Sequence, residues 1–188
     1  MLDRHLSDHS VVVNAVMGDE KVKSLWLEAD DLLYKTINSG HCVYIAGNGG
    51  SAADAQHFAA EIVGRFIAER KGYPALALTT DTSILTAIGN DYGFDKIFSR
   101  QLDALAGDGD CFVAISTSGN SQNIINTLNL AKNKGIKTIL LSGNTGGKAR
   151  DLADIAIVVP SNNTAYIQEL HQIFYHSWCA SFDKRIVS

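Results

Sequence analysis

The sequence predicts an α/β fold, a doubly wound five-stranded parallel sheet with helices on both of its faces. Three observations carry this prediction. Short apolar segments alternate with amphipathic segments, and the apolar segments are continuous, as in strands that are buried on both faces. Hydrophobic residues make up 46% of the 188 residues, which is enough for a sizeable core. Right-handed crossovers between such strands then give a flavodoxin-like strand order.

A helical arm is predicted before the sheet, in residues 1–39. Its apolar side chains recur at helical spacing with charged residues between them, which is the pattern of an amphipathic helix. The predicted helix runs from about residue 7 to residue 39, is interrupted near Gly18 and is capped at its carboxyl end by Gly40. The recurring apolar residues are Val22, Leu25, Trp26, Leu32 and Leu33.

Strand-turn-helix units are predicted to fill the α/β core, residues 40–188 of a single domain that ends in a long helix. The predicted strands cover residues 41–46, 74–78, 110–115, 137–141 and 155–159, and the predicted helices cover residues 52–68, 82–89, 94–106, 121–134, 148–152 and 163–184. Ligands bind to such sheets beyond the carboxyl ends of the strands, where the strand order reverses. The turns after the first and third strands are expected to flank that point.

Composition and charge argue against several classes of protein. A net charge of −4 without a clustered basic face argues against a nucleic-acid partner. The longest apolar runs, such as residues 111–115, are far too short to span a bilayer, and the charged first five residues show no signal-peptide core. Cys42, Cys111 and Cys179 form no Cys-x-x-Cys pair and fit reduced thiols. We therefore expect a cytoplasmic protein with neither a nucleic-acid nor a membrane partner.

The segment Ser116-Thr117-Ser118-Gly119-Asn120-Ser121 follows the third predicted strand and opens a helix. Its four hydroxyls surround a helix N-terminus, where unpaired N–H groups and a partial positive charge can hold a phosphate. The alternative is an ordinary helix cap, for which one serine would suffice. The number of hydroxyls favours a phosphate site.

The segment Gly47-Asn48-Gly49-Gly50-Ser51 forms the turn after the first strand, and Ser51 is expected to cap the next helix. Together with Ala52 it matches the dinucleotide pattern G-x-G-x-x-A. That pattern also needs an acidic residue about 20 residues further on, at the end of the second strand, and the candidate Asp81 lies well beyond that distance. We therefore interpret the turn as a close-approach loop for a sugar phosphate.

Two predicted helices each carry a polar stripe at positions i, i+4 and i+8. A histidine and a glutamate one turn apart in the first stripe can share a metal ion or a proton, but they also fit a solvated ion pair. The second stripe matters only if it meets the first, which spacing cannot show. His171 lies off that stripe and is expected to be structural or at an interface. The stripes are His57, Glu61 and Arg65 on one helix, and Gln168, Gln172 and His176 on the other.

A further polar segment, residues 89–93, is predicted to be a turn after the helix that follows the second strand. It contains Asn90 and Asp91, and a plain Asn-Asp turn would explain it as well as a ligand site would.

Taken together, these segments resemble the sugar isomerase (SIS) family, and within it the phosphoheptose isomerases. The resemblance covers nearly the whole chain, including the arm and the last helix. The Ser-Thr-Ser-Gly-Asn-Ser loop is typical of SIS domains generally, whereas the His-x-x-x-Glu pair and the Gln–His pair are more specific to the heptose enzymes. The matching residues are Gly47–Ser51, His57, Glu61, Gly89–Asp91, Ser116–Ser121, Gln168 and His176.

The resemblance implies an aldose–ketose isomerase that converts sedoheptulose 7-phosphate into D-glycero-D-manno-heptose 7-phosphate. It also implies a cytoplasmic homotetramer with active sites between subunits, in which Glu61 is the general base and His176 the general acid. In members that bind zinc, one ion per subunit would be held by His57, Glu61, Gln168 and His176. The substrate-binding residues implied are Asn48, Gly49, Gly50, Ser51, Glu61, Asn90, Asp91 and Gln168 for the sugar, and Ser116, Thr117, Ser118 and Ser121 for the phosphate.

Two alternatives remain open on the sequence alone. Some SIS relatives are regulators that bind a bacterial replication initiator and need no catalytic pair; the complete set of histidine, glutamate and glutamine residues favours an enzyme here. The other alternative is an isomerase for another phosphosugar, such as arabinose 5-phosphate. Relatives of that kind usually carry regulatory domains that this sequence does not show.

Overall fold

The computed structural model describes residues 1–187 and contains, within them, one sheet of five parallel strands. The strands are β1 (Val43–Gly47), β2 (Ala75–Ala77), β3 (Cys111–Ser116), β4 (Lys137–Gly143) and β5 (Ile155–Val159). Their order across the sheet is β2-β1-β3-β4-β5, which is the flavodoxin-like order. The predicted fold class is confirmed.

Helices precede, separate and follow the strands. They are α1 (Leu2–Gly18), α2 (Glu20–Asn38), α3 (Gly50–Val63), α4 (Thr82–Tyr92), α5 (Ser99–Leu105), α6 (Gln122–Asn133) and α7 (Thr164–Val187). The arm begins earlier than predicted, and α7 is the long last helix that the sequence predicts. Within residues 1–187, none of these helices is both long enough and apolar enough to cross a bilayer.

The two faces of the sheet are covered by different helices, because successive side chains of a strand point to opposite faces. Val43 and Ile45 of β1 belong to one core, which contains side chains of α2, α3 and α7. Tyr44 and Ala46 of the same strand belong to the other core, with side chains of α5 and α6. The helices α3 and α7 therefore share one face of the sheet.

The start of α3 differs from the sequence prediction. Gly49, with φ of +57°, turns the chain into the helix, which begins at Gly50. Ser51 consequently lies inside the first turn and is buried, so the prediction that it caps the helix is wrong.

The end of α3 also comes earlier than predicted. The helix stops at Val63, and the guanidinium of Arg70 folds back to donate to the carbonyl oxygen of Ile62 over 3.0 Å. Carbonyls of the last turn that the helix leaves unpaired are satisfied in this way. Arg65 lies beyond the helix, so the prediction of a three-residue polar stripe is wrong for its last member.

The helix α4 is longer than predicted. It continues through Asn90 and Asp91 to Tyr92 and ends where Gly93 takes a φ of +93°. The prediction of a polar turn over residues 89–93 is therefore wrong, and these two polar residues occupy the last turn of a helix.

His171 lies on α7 and is fully buried against β4. Its Nε2–H donates to the carbonyl oxygen of Ser142 over 3.1 Å, while Nδ1 has no hydrogen-bond partner in residues 1–187. Burial lowers the pKa of His171 to about 4, and the hydrogen bond to Ser142 opposes only part of that effect. The side chain is a neutral part of the core, in line with the structural role expected for it.

We expect the free energy of unfolding to fall as the pH is lowered from about 6.5 to about 4. In this window the unfolded chain binds a proton at His171 and the folded chain does not, so protons favour unfolding. The pKa difference corresponds to roughly 3 kcal/mol. Urea titrations at a series of pH values would measure the slope. The variant His171→Gln should lose most of it, and an unchanged slope in that variant would contradict the assignment.

Candidate active site

The helices α3 and α7 lie side by side and run in the same direction, so that residues 118 positions apart face each other. Gln172 Nε2 donates to Asp54 Oδ1 over 3.2 Å. One turn further along, the Tyr175 hydroxyl lies 3.0 Å from Nδ1 of His57. The polar faces of the two helices therefore meet, which spacing alone left open.

Three side chains from these helices bring their acceptor atoms together. Nε2 of His57 lies 3.1 Å from Oε1 of Glu61 and 3.4 Å from Nε2 of His176. One ligand atom from each residue lies within 4.8 Å of the other two. Two imidazoles and a carboxylate are common ligands of zinc. The cluster therefore fits a shared metal ion, and it also fits a shared proton.

The cluster is open to solvent on one side and lined by aromatic rings on the other. The side chain of His57 is 45% exposed and that of Glu61 is 21% exposed. The rings of Phe66 and Tyr175 pack against His176, with centroid distances of 5.5 and 4.7 Å. Burial, and then the neighbouring His57, lowers the pKa of His176. This shift favours the neutral imidazole, which can accept a proton, and it makes the imidazolium form a stronger acid.

Gln168 lies about two turns before His176 on α7, away from the cluster of His57, Glu61 and His176. Its side-chain amide packs against Gly50 in the first turn of α3, where a Cβ atom would collide with it. Eight residues of helix, about 12 Å along the axis, separate it from His176. The structure thus places Gln168 beside the Gly-rich loop, residues 47–51.

The loop between β3 and α6 presents hydroxyls at a helix N-terminus. Ser121 precedes α6, and its side chain makes no cap hydrogen bond but lies 3.3 Å from the hydroxyl of Ser116. The loop backbone is held from β4, where Ser142 Oγ donates to the Ser116 carbonyl over 2.7 Å and Gly143 N–H donates to the Thr117 carbonyl over 3.1 Å. Hydroxyls and unpaired N–H groups at such an end suit an anion.

Gly119 gives this loop its shape. Its φ is +64°, and a Cβ atom there would collide with the backbone of Gly146 and Gly147. Exposed Ser118 stands before it, and its Oγ accepts a hydrogen bond from the N–H of Asn120 over 3.2 Å. Only glycine meets both the positive φ and the close approach without strain.

The two Gly-containing loops lie next to each other at the carboxyl ends of β1 and β3. Asn48 of the first loop exchanges two hydrogen bonds, each of 2.9 Å, with Asn123 in the first turn of α6. These hydrogen bonds join the Gly-rich loop to α6, the helix that follows the Ser/Thr loop of residues 116–121. The position expected for both loops at this edge of the sheet is observed.

Asn90 and Asp91 lie elsewhere in the chain. They are exposed in the last turn of α4, where Asn90 Nδ2 donates to Asp91 Oδ1 over 2.8 Å. The side chains of α4 pack on the opposite face of the sheet from those of α3 and α7. Within residues 1–187, no side-chain hydrogen bond links either residue to Glu61 or His176.

Comparison with known proteins decides the family. A profile of the SIS domain matches residues 18–143. The chain belongs to the SIS domain family.

Individual relatives of this SIS-family chain share one name. The phosphoheptose isomerase of Aliarcobacter butzleri is 55% identical over 159 residues, which cover 85% of this chain and 84% of that one. The phosphoheptose isomerase of Aneurinibacillus thermoaerophilus is 50% identical over 182 residues, covering 97% and 92%. The structure of the phosphoheptose isomerase from Neisseria gonorrhoeae matches with a TM-score of 0.91 at 40% identity and covers 97% of both chains. The similarity therefore includes the arm and α7.

Sequence reasoning about this SIS-family chain missed two residues at the site, Asp54 and Tyr175. Both are buried and both contact residues of the polar stripes. Asp54 precedes His57 by three residues, so the pattern Asp-x-x-His-x-x-x-Glu could have placed it on the same face of α3. No comparable signal singles out Tyr175, because its position is set by the register between α3 and α7.

Proposed function

We propose that this SIS-family chain is an aldose–ketose isomerase that converts sedoheptulose 7-phosphate into D-glycero-D-manno-heptose 7-phosphate. This reaction is the first step toward the activated heptose of bacterial lipopolysaccharide or capsule. The convergence of Glu61 and His176 from neighbouring helices is the observation that carries the proposal. The name shared by the relatives supports the choice of substrate.

The proposed chemistry moves a proton between adjacent carbons through an enediol. The carboxylate of Glu61 takes a proton from C1 of the ketose while the imidazolium form of His176 protonates the carbonyl oxygen on C2. The neutral His176 then removes the proton from the oxygen on C1, and Glu61 returns its proton to C2. The lowered pKa of His176 supports the donating step, because it makes the imidazolium a stronger acid.

The phosphate is proposed to bind far from the reacting carbons, where its binding energy can orient the sugar. Its proposed ligands are Ser116, Thr117, Ser118 and Ser121. The sugar would lie near Asn48, Gly49, Gly50 and Ser51. The contact between Gln168 and Gly50 supports a substrate-binding role for this glutamine.

We further propose that the cluster of His57, Glu61 and His176 holds one zinc ion per subunit. The nature of the three ligand atoms and their mutual distances support this. The chemistry that zinc supplies when bound is polarisation of a carbonyl oxygen. The place of Gln168 beside Gly50 supports its substrate role more directly than its role as a fourth ligand.

The protein is proposed to act as a cytoplasmic homotetramer with active sites between subunits. The position of Asn90 and Asp91 supports a shared site, because α4 covers the face of the sheet opposite α3 and α7. These two residues would then approach the sugar from a neighbouring subunit.

Incubation of the purified protein with sedoheptulose 7-phosphate, with and without added Zn²⁺, tests the proposed function. Chromatography of the dephosphorylated sugars should show an aldoheptose. Arabinose 5-phosphate and ribulose 5-phosphate, tested in parallel, should remain unchanged. No conversion of any of the three substrates would favour a non-catalytic binding protein, and conversion of the pentose phosphates alone would favour a different isomerase.

Gly119→Ala should raise KM for sedoheptulose 7-phosphate by at least about tenfold. The new Cβ would push the Ser/Thr loop off the backbone of Gly146, and strain at the positive φ adds about 1–3 kcal/mol. Steady-state kinetics would measure the change. Gly135→Ala is the matched control, because Gly135 has a φ of +70° but open space around it. It should cost stability alone, and an equal rise in KM for both variants would contradict the role of the loop.

A further inference from the structure

The hydroxyl of Tyr175 contacts a proposed metal ligand, and it interacts with Asp54, a carboxylate that the proposed chemistry does not use. Tyr175 is fully buried, and its Oη is 3.0 Å from Nδ1 of His57. The ordinary pKa of a tyrosine hydroxyl, about 10, lies far above neutral pH, so the hydroxyl keeps its proton. A neutral phenol can donate one hydrogen bond and can also accept one.

The carboxylate of Asp54 is only half satisfied. The residue is 4% exposed, and Gln172 Nε2 donates to its Oδ1 over 3.2 Å. Its other oxygen, Oδ2, has no hydrogen-bond partner within residues 1–187. A buried acceptor without a donor is uncommon and calls for an explanation.

The imidazole of His57 can present Nε2 in two ways. With the proton on Nε2, it donates to Glu61, and Nδ1 accepts from the Tyr175 hydroxyl. As a metal ligand, Nε2 uses its lone pair, so the proton sits on Nδ1 and the ring becomes the donor to Tyr175. The phenol proton must then find another acceptor. The imidazole is neutral in both forms, so no net proton is gained or lost.

We propose that Tyr175 and Asp54 form a relay that sets the tautomer of His57. In the metal-binding form, Nδ1–H of His57 donates to Tyr175 Oη, and the Tyr175 hydroxyl donates to Oδ2 of Asp54. The unpartnered carboxylate oxygen is thus the acceptor that this form requires. The inference rests on the proposed metal site. Tyr175 and Asp54 act through His57 and are positioning residues.

The test compares Zn²⁺ affinities by competition with a chromogenic chelator. Tyr175→Phe keeps the ring that stacks on Phe58 and removes only the hydroxyl. We expect it to raise the Zn²⁺ dissociation constant by about 10- to 100-fold, as loss of a partner behind a ligand typically does. Tyr44→Phe is the matched control, since the Tyr44 hydroxyl donates to the Leu105 carbonyl over 3.0 Å in the other core. Its Zn²⁺ affinity should equal that of the wild type.

Two further measurements keep the proposal open to refutation if Tyr175→Phe does not fold. Asp54→Asn should also weaken Zn²⁺ binding, because its amide is a poorer acceptor for the phenol. Nitrogen-15 NMR of the zinc-loaded wild type should show His57 protonated on Nδ1. Unchanged affinity in every folded variant, or a proton on Nε2, would overturn the relay.

Measuring both Zn²⁺ binding and aldose formation in the wild type separates this inference from the isomerase proposal. A wild-type protein that binds no Zn²⁺ would overturn the relay whatever its turnover. A wild-type protein that binds Zn²⁺ with the expected tautomer but forms no aldose would overturn the isomerase proposal and support the relay.

Discussion

Replacing Glu61 with glutamine is expected to lower kcat for the isomerisation of sedoheptulose 7-phosphate by about 10²- to 10⁴-fold. The amide has nearly the same shape as the carboxylate but cannot take a proton from carbon. Glu61 is partly exposed, so its replacement should leave the fold intact. His176→Gln should have an effect of similar size, because an amide cannot exchange protons with the sugar oxygens. Circular dichroism and steady-state kinetics on both variants would measure these effects.

The matched control for this prediction is Glu69→Gln. Glu69 is an exposed residue whose side chain pairs with Arg65 over 3.3 Å on the surface. It carries the same charge as Glu61 but lies outside the cluster, so its variant should keep the wild-type kcat. Near-normal rates in both Glu61→Gln and His176→Gln would refute the catalytic assignment.

Arg70→Met is expected to lower the free energy of unfolding by about 3–5 kcal/mol. The side chains of Arg70 and Asp183 are 2% and 5% exposed, and Arg70 Nε lies 2.8 Å from Asp183 Oδ1. The substitution would leave a buried carboxylate without its cation. It would also remove the donor to the Glu61 carbonyl, a hydrogen bond of 2.7 Å that holds the end of α3. Urea denaturation would measure the loss.

Lys35→Met is the matched control for Arg70→Met, because it removes the cation of an exposed ion pair instead of a buried one. Lys35 pairs with Asp31 over 2.6 Å, but the two side chains are 72% and 44% exposed. Solvent weakens such a pair, so the variant should lose no more than about 1 kcal/mol. Equal losses in the two variants would contradict the importance assigned to the buried pair.

The pair of Arg70 and Asp183 also has a pH signature. Burial alone would raise the pKa of Asp183, but the N–H of Ala68, the guanidinium of Arg70 and the N–H of Ile67 together lower it below 3.8. Its contribution to stability is therefore present above about pH 3.8 and is lost as the pH falls further. This window lies below that of His171, so the two effects can be separated in one titration.

The sequence was sufficient to predict the fold class and the position of both loops. Continuous apolar strands and turns rich in glycine and serine are local signals, and β1, β3 and the loops that follow them lie where those signals placed them. The end of α3 could not be predicted, because Arg65 continues the helical pattern. The guanidinium of Arg70 binds carbonyl oxygens at the end of α3. It is held there by its ion pair with Asp183, more than a hundred residues further along the chain.

The contact between the polar faces of α3 and α7 also depends on residues that are far apart in the sequence. His57 and His176 come together because α3 and α7 pack on one face of the sheet in a particular register, and no local pattern encodes that register. In the last turn of α4 the local signal is misleading. Residues 89–91 have the composition of a turn, but the helix continues through them to Tyr92 and is capped by Gly93. The roles of these residues stay predictions, whereas their positions are now known.

The most direct test of the central claim follows sedoheptulose 7-phosphate by NMR in D₂O in the presence of the wild type and of Glu61→Gln. Proton transfer through an enediol, with Glu61 as the base, predicts that the wild type forms an aldose, with deuterium at C2 in the fraction of turnovers in which the Glu61 carboxyl exchanges with solvent before it returns its proton. It also predicts that the variant forms almost none over the same time. Formation of no aldose by the wild type, or equal formation by both proteins, would contradict the claim.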